Sequence, residues 1–261
     1  MMRYSNRSPE KSVQDMYNEN DLEKLELFQG GYINWGLYDQ LNQIKISKKD
    51  REKASMRLYE KCLSLLEVKP IDKVLEVGFG KGTGLKYIQN YFHLEEIYGV
   101  DQSPLYYELC QKALPNANLY CMNVESSFPS SHKFDTIISI EMAQHIENIE
   151  GFISRAYEAL NYGGTLLIST FFGLLDNAQE ILADTIQTVN AGVDFAHPIN
   201  KVKRYLGQLG CGFTIESIGS KVFPGYDQWI SQTHFVNSWG RYWYKHYQNG
   251  VIDYFIIKVL K

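Results

Sequence analysis

"VLEVGFGKGTG" (residues 74–84) is an apolar run with one acid inside it, followed by glycine at 78, 80, 82 and 84. Glycine weakens the interior of a strand or helix, so such a cluster needs a positive reason. Either the backbone turns sharply here or something passes very close to it. The flanking sequence alternates between two periodicities. "KVLEVGF" (73–79) predicts a buried strand and "KGTGLKYIQNYF" (81–92) the helix behind it. "EEIYGVDQ" (95–102) is a second strand, and "SPLYYELCQKAL" (103–114) opens with Ser103 as cap and Pro104 at the first helical position, a helix-start signal. "ANLYCMN" (117–123) and "FDTIISIE" (134–141) give strands three and four. "NIEGFISRAYEAL" (148–160) is a helix ending near Gly163–Gly164, and "TLLISTFF" (165–172) is strand five. Strands alternating with helices at this spacing predict an α/β fold with a doubly wound, parallel sheet.

The ends of the chain read differently. "SKKDREKASMRLYEKCLSLL" (47–66) is helical, with Ser47 as N-cap and Ala54, Leu58, Cys62 and Leu65 on one stripe. Beyond Phe172, "DNAQEILADTIQTV" (176–189) and "PINKVKRYLGQL" (198–209) predict two more helices, and "GFTIESIGSKVF" (212–223) and "GVIDYFIIKVL" (250–260) two strands. Between those strands, 226–248 carries Trp229, Trp239 and Trp243 among many other aromatics. The expected organisation is one domain over 1–261. It has an N-terminal arm or lid at 1–45, a core at 47–172, helical, aromatic-rich cap insertions at 173–197 and 224–249, and a last strand at 251–261. The all-round aromaticity of 226–248 calls for contact on two sides, the domain beneath and a ligand or partner chain above. A homodimer is therefore left open.

Composition excludes several classes. A net charge of −4 leaves no basic footprint for a nucleic-acid partner. The first twenty residues contain no apolar signal region. "TLLISTFFGLL" (165–175), the most apolar stretch, is too short and too polar for a membrane span. Cys62, Cys110, Cys121 and Cys211 form no CxxC pair, which predicts the buried thiols of a cytoplasmic protein and no metal site.

The first βα turn of an open parallel sheet is a nucleotide-binding place. The dinucleotide fingerprint GxGxxG fails here, because its third glycine falls on Thr83 or Leu85. What fits is acid-x-G-x-G-x-G, at Glu76, Gly78, Gly80 and Gly82. In this the chain resembles the class I S-adenosylmethionine (SAM)-dependent methyltransferases over roughly residues 50–175. The resemblance implies a Rossmann-like, seven-stranded sheet and SAM as cofactor, with Phe79 inside the glycine loop beside it. It also implies that Asp101 accepts the ribose hydroxyls, with Gln102 next to it, and that Asn123 and Val124 meet the adenine. Asn123 stands where the family usually has Asp and keeps a carbonyl acceptor without the charge. Glu141, at the end of strand four, would face the methionine part of the cofactor.

"GGYINWGLYD" (30–39) resembles the N-terminal segment of the small-molecule branch of that family, related to tocopherol and sterol methyltransferases and cyclopropane fatty-acid synthases. By that likeness Tyr32 bonds the cofactor carboxylate and Trp35 walls the pocket; simple packing of the arm onto the domain is the alternative. The sulfonium is a cation, and aromatic faces attract cations by ~0.5–2 kcal/mol. Strand four ends in "SIEMAQ" (139–144), not in the Asn/Asp-Pro-Pro-aromatic signature of enzymes that methylate bases. Glu141 alone is poor evidence for Mg²⁺.

His145, four residues beyond Glu141, is the candidate base, since natural-product O-methyltransferases often carry a His there. Some pair it with an Asp at the end of strand five. That place is Thr170 here, so the sequence predicts no dyad and leaves His145 equally open as a substrate-positioning residue. The expected function is SAM-dependent methyl transfer to a small aromatic or apolar metabolite, with O- or C-methylation favoured, as in secondary metabolism. The rivals are protein or RNA methylation and a non-catalytic SAM-binding subunit or sensor.

Overall fold

The computed structural model describes residues 26–39, 45–129 and 132–261. The remainder of the expected arm, 1–25 and 40–44, lies outside the described residues. Helix α1 (Lys48–Leu63) starts with a closed capping box: Ser47 Oγ accepts the Asp50 N–H, and the Asp50 carboxylate accepts the Ser47 N–H. Then β1 (Val74–Val77), α2 (Thr83–Phe92), β2 (Ile97–Asp101), α3 (Pro104–Ala113), β3 (Asn118–Cys121) and β4 (Phe134–Ile140) follow in alternation. A 3-10 turn (Ala143–His145), α4 (Ile149–Ala159) and β5 (Leu160–Gly173) complete the first half. Every residue of β1 is buried, as is all of β4 except Asp135, as a parallel sheet covered on both faces requires.

The structure departs from the sequence reading in four places. First, α4 stops at Ala159, short of the glycine pair. Lys261 Nζ donates to the carbonyls of Tyr157, Glu158 and Leu160, a cation on the helix's open C-terminal end. Second, 176–189 breaks into α5 (Ala178–Ala183) and α6 (Gln187–Asn190). Third, after α7 (Ile199–Gln208), strand β6 covers only Gly212–Ser217. The rest of the expected strand enters α8 (Gly219–Ile230), which runs through Pro224. Helix α9 (Tyr242–Gln248) and β7 (Ile252–Leu260) follow. The second insertion thus begins at 218, not at 224. The helix starts at Gly219, where a Cβ would collide with Tyr247 and Asp253.

The sheet order is β3-β2-β1-β4-β5-β7-β6. β7 runs antiparallel to β5 and β6, and the other pairings are parallel. The order reverses at β1, between β2 and β4, and the crevice at that switch point is where such sheets hold ligands.

The fourth difference concerns what covers 226–248. Trp229 Nε1 donates to Leu27 O (3.1 Å), Ile46 N to Gln232 Oε1 (3.0 Å), and Tyr38 N to Lys221 O (2.7 Å). The chain's own N-terminal segment therefore lies on this cap. Arg51, fully buried on α1, fixes the segment by donating to Leu27 O and Asn34 O, and its guanidinium sits over the Tyr226 ring at 5.6 Å.

Candidate active site

The glycine loop has two separate reasons for its glycines. Gly78, Gly80 and Gly82 have φ of 82°, 54° and 89°, the left-handed region that other residues rarely enter. A Cβ on Gly80 would meet nothing within 4 Å, so this backbone borders open space. Gly84 is needed for close approach instead: a Cβ there would strike Tyr59 Oη and Glu76.

That open space is a cavity of about 400 Å³, within the range of small-molecule and cofactor sites. Its lining includes Asp101, Gln102, Asn123 and Val124, the loop at Gly78, Phe79 and Gly80, and Tyr32, Glu141 and His145. Asp101 accepts Gly80 N–H on Oδ2 and Ser103 N–H on Oδ1, each at 2.9 Å. Each oxygen keeps a further lone pair for a ligand hydroxyl. Burial raises the Asp101 pKa against the lowering effect of those amides. Asn123 Oδ1 accepts the Glu125 N–H at 2.8 Å, which shapes the turn beyond β3. SAM fits these groups: a cradle bare of Cβ atoms, an acid with acceptor capacity for two ribose hydroxyls, and an apolar wall at Val124.

Three residues expected at the cofactor do not line the cavity. Gly82 faces Cys110 and Leu114. Trp35 turns its indole away, into an aromatic cluster, and only its backbone N–H reaches the site, donating to Glu141 Oε1 at 2.7 Å. Glu76, 1% exposed, lies beneath the loop, where Tyr59 Oη donates to Oε1 at 2.9 Å and Oε2 has no partner among the described residues. Tyr59 itself lines the cavity and was missed, because a tyrosine on an amphipathic helix carries no separate signal.

Burial pushes the Glu76 carboxyl from 4.5 up to about 8; the Tyr59 hydrogen bond opposes this and the Asp101 charge adds to it. The folded state thus holds this proton more tightly than the unfolded chain. The resulting stability is fully present below pH 4.5 and is lost as pH rises through about 8. Denaturant unfolding of ligand-free protein across this range should show Glu76→Gln gaining on wild type with rising pH, by on the order of 4 kcal/mol. Parallel curves for the two proteins would mean that Glu76 is ionised in the fold.

Glu141 adopts φ 51°, a conformation that a non-glycine residue holds only where its surroundings impose it. Tyr254 Oη also donates to its Oε1 at 3.0 Å, and Gln144 Nε2 donates to its carbonyl oxygen at 2.9 Å. Burial lifts its pKa to about 7, against the lowering contacts of Trp35, Tyr254, Arg51 and His145.

His145 has the acid partner that the sequence did not show. Its Nδ1 lies 3.1 Å from Asp194 Oδ1 and 2.9 Å from Val193 O. Both neighbours are acceptors, so Nδ1 carries the proton and Nε2 is left as the acceptor nitrogen, with Gln144 Nε2 3.5 Å away. The expectation of no dyad is corrected: Thr170 donates to Gln144 Oε1 at 2.8 Å, and the carboxylate comes from the first insertion. The loop 192–197 is stitched to the 3-10 turn by Phe195 N to Gln144 O and by His197 Nε2 to Ile146 O, both 2.7 Å. Gly192 and Phe195 of that loop line the cavity. Burial lowers the His145 pKa, but the hydrogen bond and charge of Asp194, with Val193 O and Glu141, raise it further, leaving it above 6.5.

Among the described residues no cluster of side chains could hold a metal ion, and no helix is long and apolar enough to cross a membrane. Residues 75–168 match the family described as "Methyltransferase domain". Tocopherol O-methyltransferase of Arabidopsis thaliana is 26% identical over 176 residues, covering 62% of this chain and 49% of that protein. The chain spans about half the length of the curated relatives it matches. Geranyl diphosphate C-methyltransferase from Streptomyces coelicolor A3(2) superposes with a TM-score of 0.77 at 14% identity, over 98% of this chain and 99% of that one. A cyclopropane synthase from Mycobacterium tuberculosis does so with a TM-score of 0.76 at 18% identity, over 97% and 99%. The glycine loop thus lies within the stretch that matches a methyltransferase domain, and the seven-stranded sheet shares its fold with these solved structures.

Proposed function

We propose that the protein transfers a methyl group from SAM to a small aromatic or apolar metabolite, at oxygen or at an acidic carbon. The observation that carries this reading is the His145–Asp194 pair closing the same cavity that Asp101 and the glycine loop open. SAM supplies an activated methyl group on a sulfonium and a neutral leaving group. The chain's residues must hold the two reactants in line, and such positioning provides ~7–11 kcal/mol of barrier lowering. Tyr32, Gly78, Gly80, Asp101, Asn123 and Val124 would hold the cofactor. His145 Nε2 takes the acceptor's proton, while Asp194 keeps the ring oriented and stabilises the imidazolium that forms. The relatives named for tocopherol and geranyl diphosphate support an apolar acceptor.

The test is to incubate the protein with methyl-labelled SAM and a fractionated cell extract. Label should appear in the low-molecular-weight, solvent-extractable fraction. Label in protein or RNA instead would favour the macromolecular reading. No label anywhere, from protein that binds S-adenosylhomocysteine (SAH), would leave a non-catalytic SAM-binding role.

A further inference from the structure

Trp35 is held unlike the other tryptophans of the cap. Its indole is stacked, nearly parallel, with both Phe171 of β5 (5.6 Å, 4° between planes) and Tyr226 of α8 (5.4 Å, 12°). Phe223, Trp243 and Tyr254 close the edges at tilted angles. All five wall residues are buried, whereas the indole they enclose is partly exposed. The walls belong to helices and strands. Trp35 belongs to neither, and it is flanked by Gly30, Gly31 and Gly36, all at positive φ. A pair of parallel aromatic neighbours with more rings at tilted angles is a slot-like setting that suits a planar ligand. Here a side chain from a connecting segment fills it.

The slot also adjoins the cavity through Glu141. Trp35 N–H and Tyr254 Oη share Glu141 Oε1, and Glu141 lines the cavity beside His145. The Trp35 backbone and the cavity thus meet at one carboxyl group. If the segment shifts, that oxygen loses the Trp35 donor and is open to an O–H or N–H from whatever enters.

We infer that Trp35 holds the place of the methyl acceptor: the slot between Phe171 and Tyr226 takes a planar aromatic ring bearing a hydroxyl or amine, and the indole leaves as the ring enters. This rests on the methyl-transfer reading for its meaning. The incoming ring restores both stacks, and its donor group replaces the Trp35 N–H at Glu141. Competition from the indole lowers the apparent affinity of the acceptor, so removing the indole tightens binding.

The experiment uses SAH-loaded protein labelled with 5-fluorotryptophan and 2-naphthol as the probe. The Trp35 signal among the four tryptophans is assigned from Trp35→Phe. On saturation the Trp35 ¹⁹F resonance should move towards its solvent-exposed position and gain a solvent isotope shift. Trp35→Gly should bind 2-naphthol at least tenfold more tightly than wild type, and Tyr226→Leu at least tenfold more weakly. Saturation that leaves the Trp35 resonance in place, or failure of 2-naphthol to bind, overturns the proposal. If Trp35→Gly does not fold, the wild-type spectrum decides alone. SAH affinity is measured separately. Naphthol entering the slot of a protein that ignores SAH would sink the methyl-transfer reading and keep the slot, whereas SAH binding with an unmoved Trp35 would sink only the slot.

Discussion

Replacing His145 by alanine is expected to lower kcat by about 10²–10⁴-fold and to leave SAH affinity nearly unchanged. The ring lines the cavity, and its Nδ1–H is committed to Asp194 and Val193 O, so Nε2, 3.5 Å from Gln144 Nε2, is the nitrogen left to take a proton. A neutral imidazole is required at the start of the reaction. The wild-type rate should therefore rise with pH through the histidine's pKa, which the Asp194 carboxylate, Val193 O and Glu141 hold above 6.5 against the effect of burial. Asp194→Asn separates positioning from packing. It keeps the side-chain size and an oxygen acceptor but removes the charge, so the inflection of the pH profile should move down while SAH still binds. If His145→Ala retains most of its kcat, the acceptor loses its proton elsewhere, as an amine would to water, and alignment alone carries the rate.

Asp101→Ala is expected to weaken SAM and SAH binding by about 2–4 kcal/mol, a ~30–1,000-fold change in Kd. Two effects contribute. The charge-assisted contact to the ribose hydroxyls is lost, and Gly80 N–H and Ser103 N–H lose their acceptor, which loosens the glycine loop itself. Thermal unfolding of the variant without ligand measures the second effect, and calorimetric titration measures the sum. Unchanged affinity would remove Asp101 from the cofactor site.

Local chemistry made much of this legible. The caps at Ser47 and Ser103, the buried runs of β1 and β4, and the glycines with positive φ all depend on neighbours within a few residues. The placement of Asp101 at the end of β2 followed from the same pattern. What escaped the sequence depends on contacts between distant segments. Asp194 sits in "GVDF" (192–195), where an acid between apolar residues is a weak hint, and nothing local pairs it with His145. In α8, Val222, Tyr226 and Trp229 form a helical stripe, but Pro224 reads as a breaker; the helix survives because its buried face packs under residues 27–38. Glu76 and Trp35 carry the right residue types for a cofactor wall. Their side chains are drawn elsewhere, by Tyr59 beneath the loop and by the aromatic slot.

The glycine loop and Asp101 are assigned to receiving SAM in this cavity. The most direct test of that assignment is an isothermal titration of SAH into the wild-type protein, with NAD as the control ligand. One equivalent of SAH per chain should saturate the protein, and NAD should neither bind nor compete. NAD binding with no heat from SAH would contradict the account.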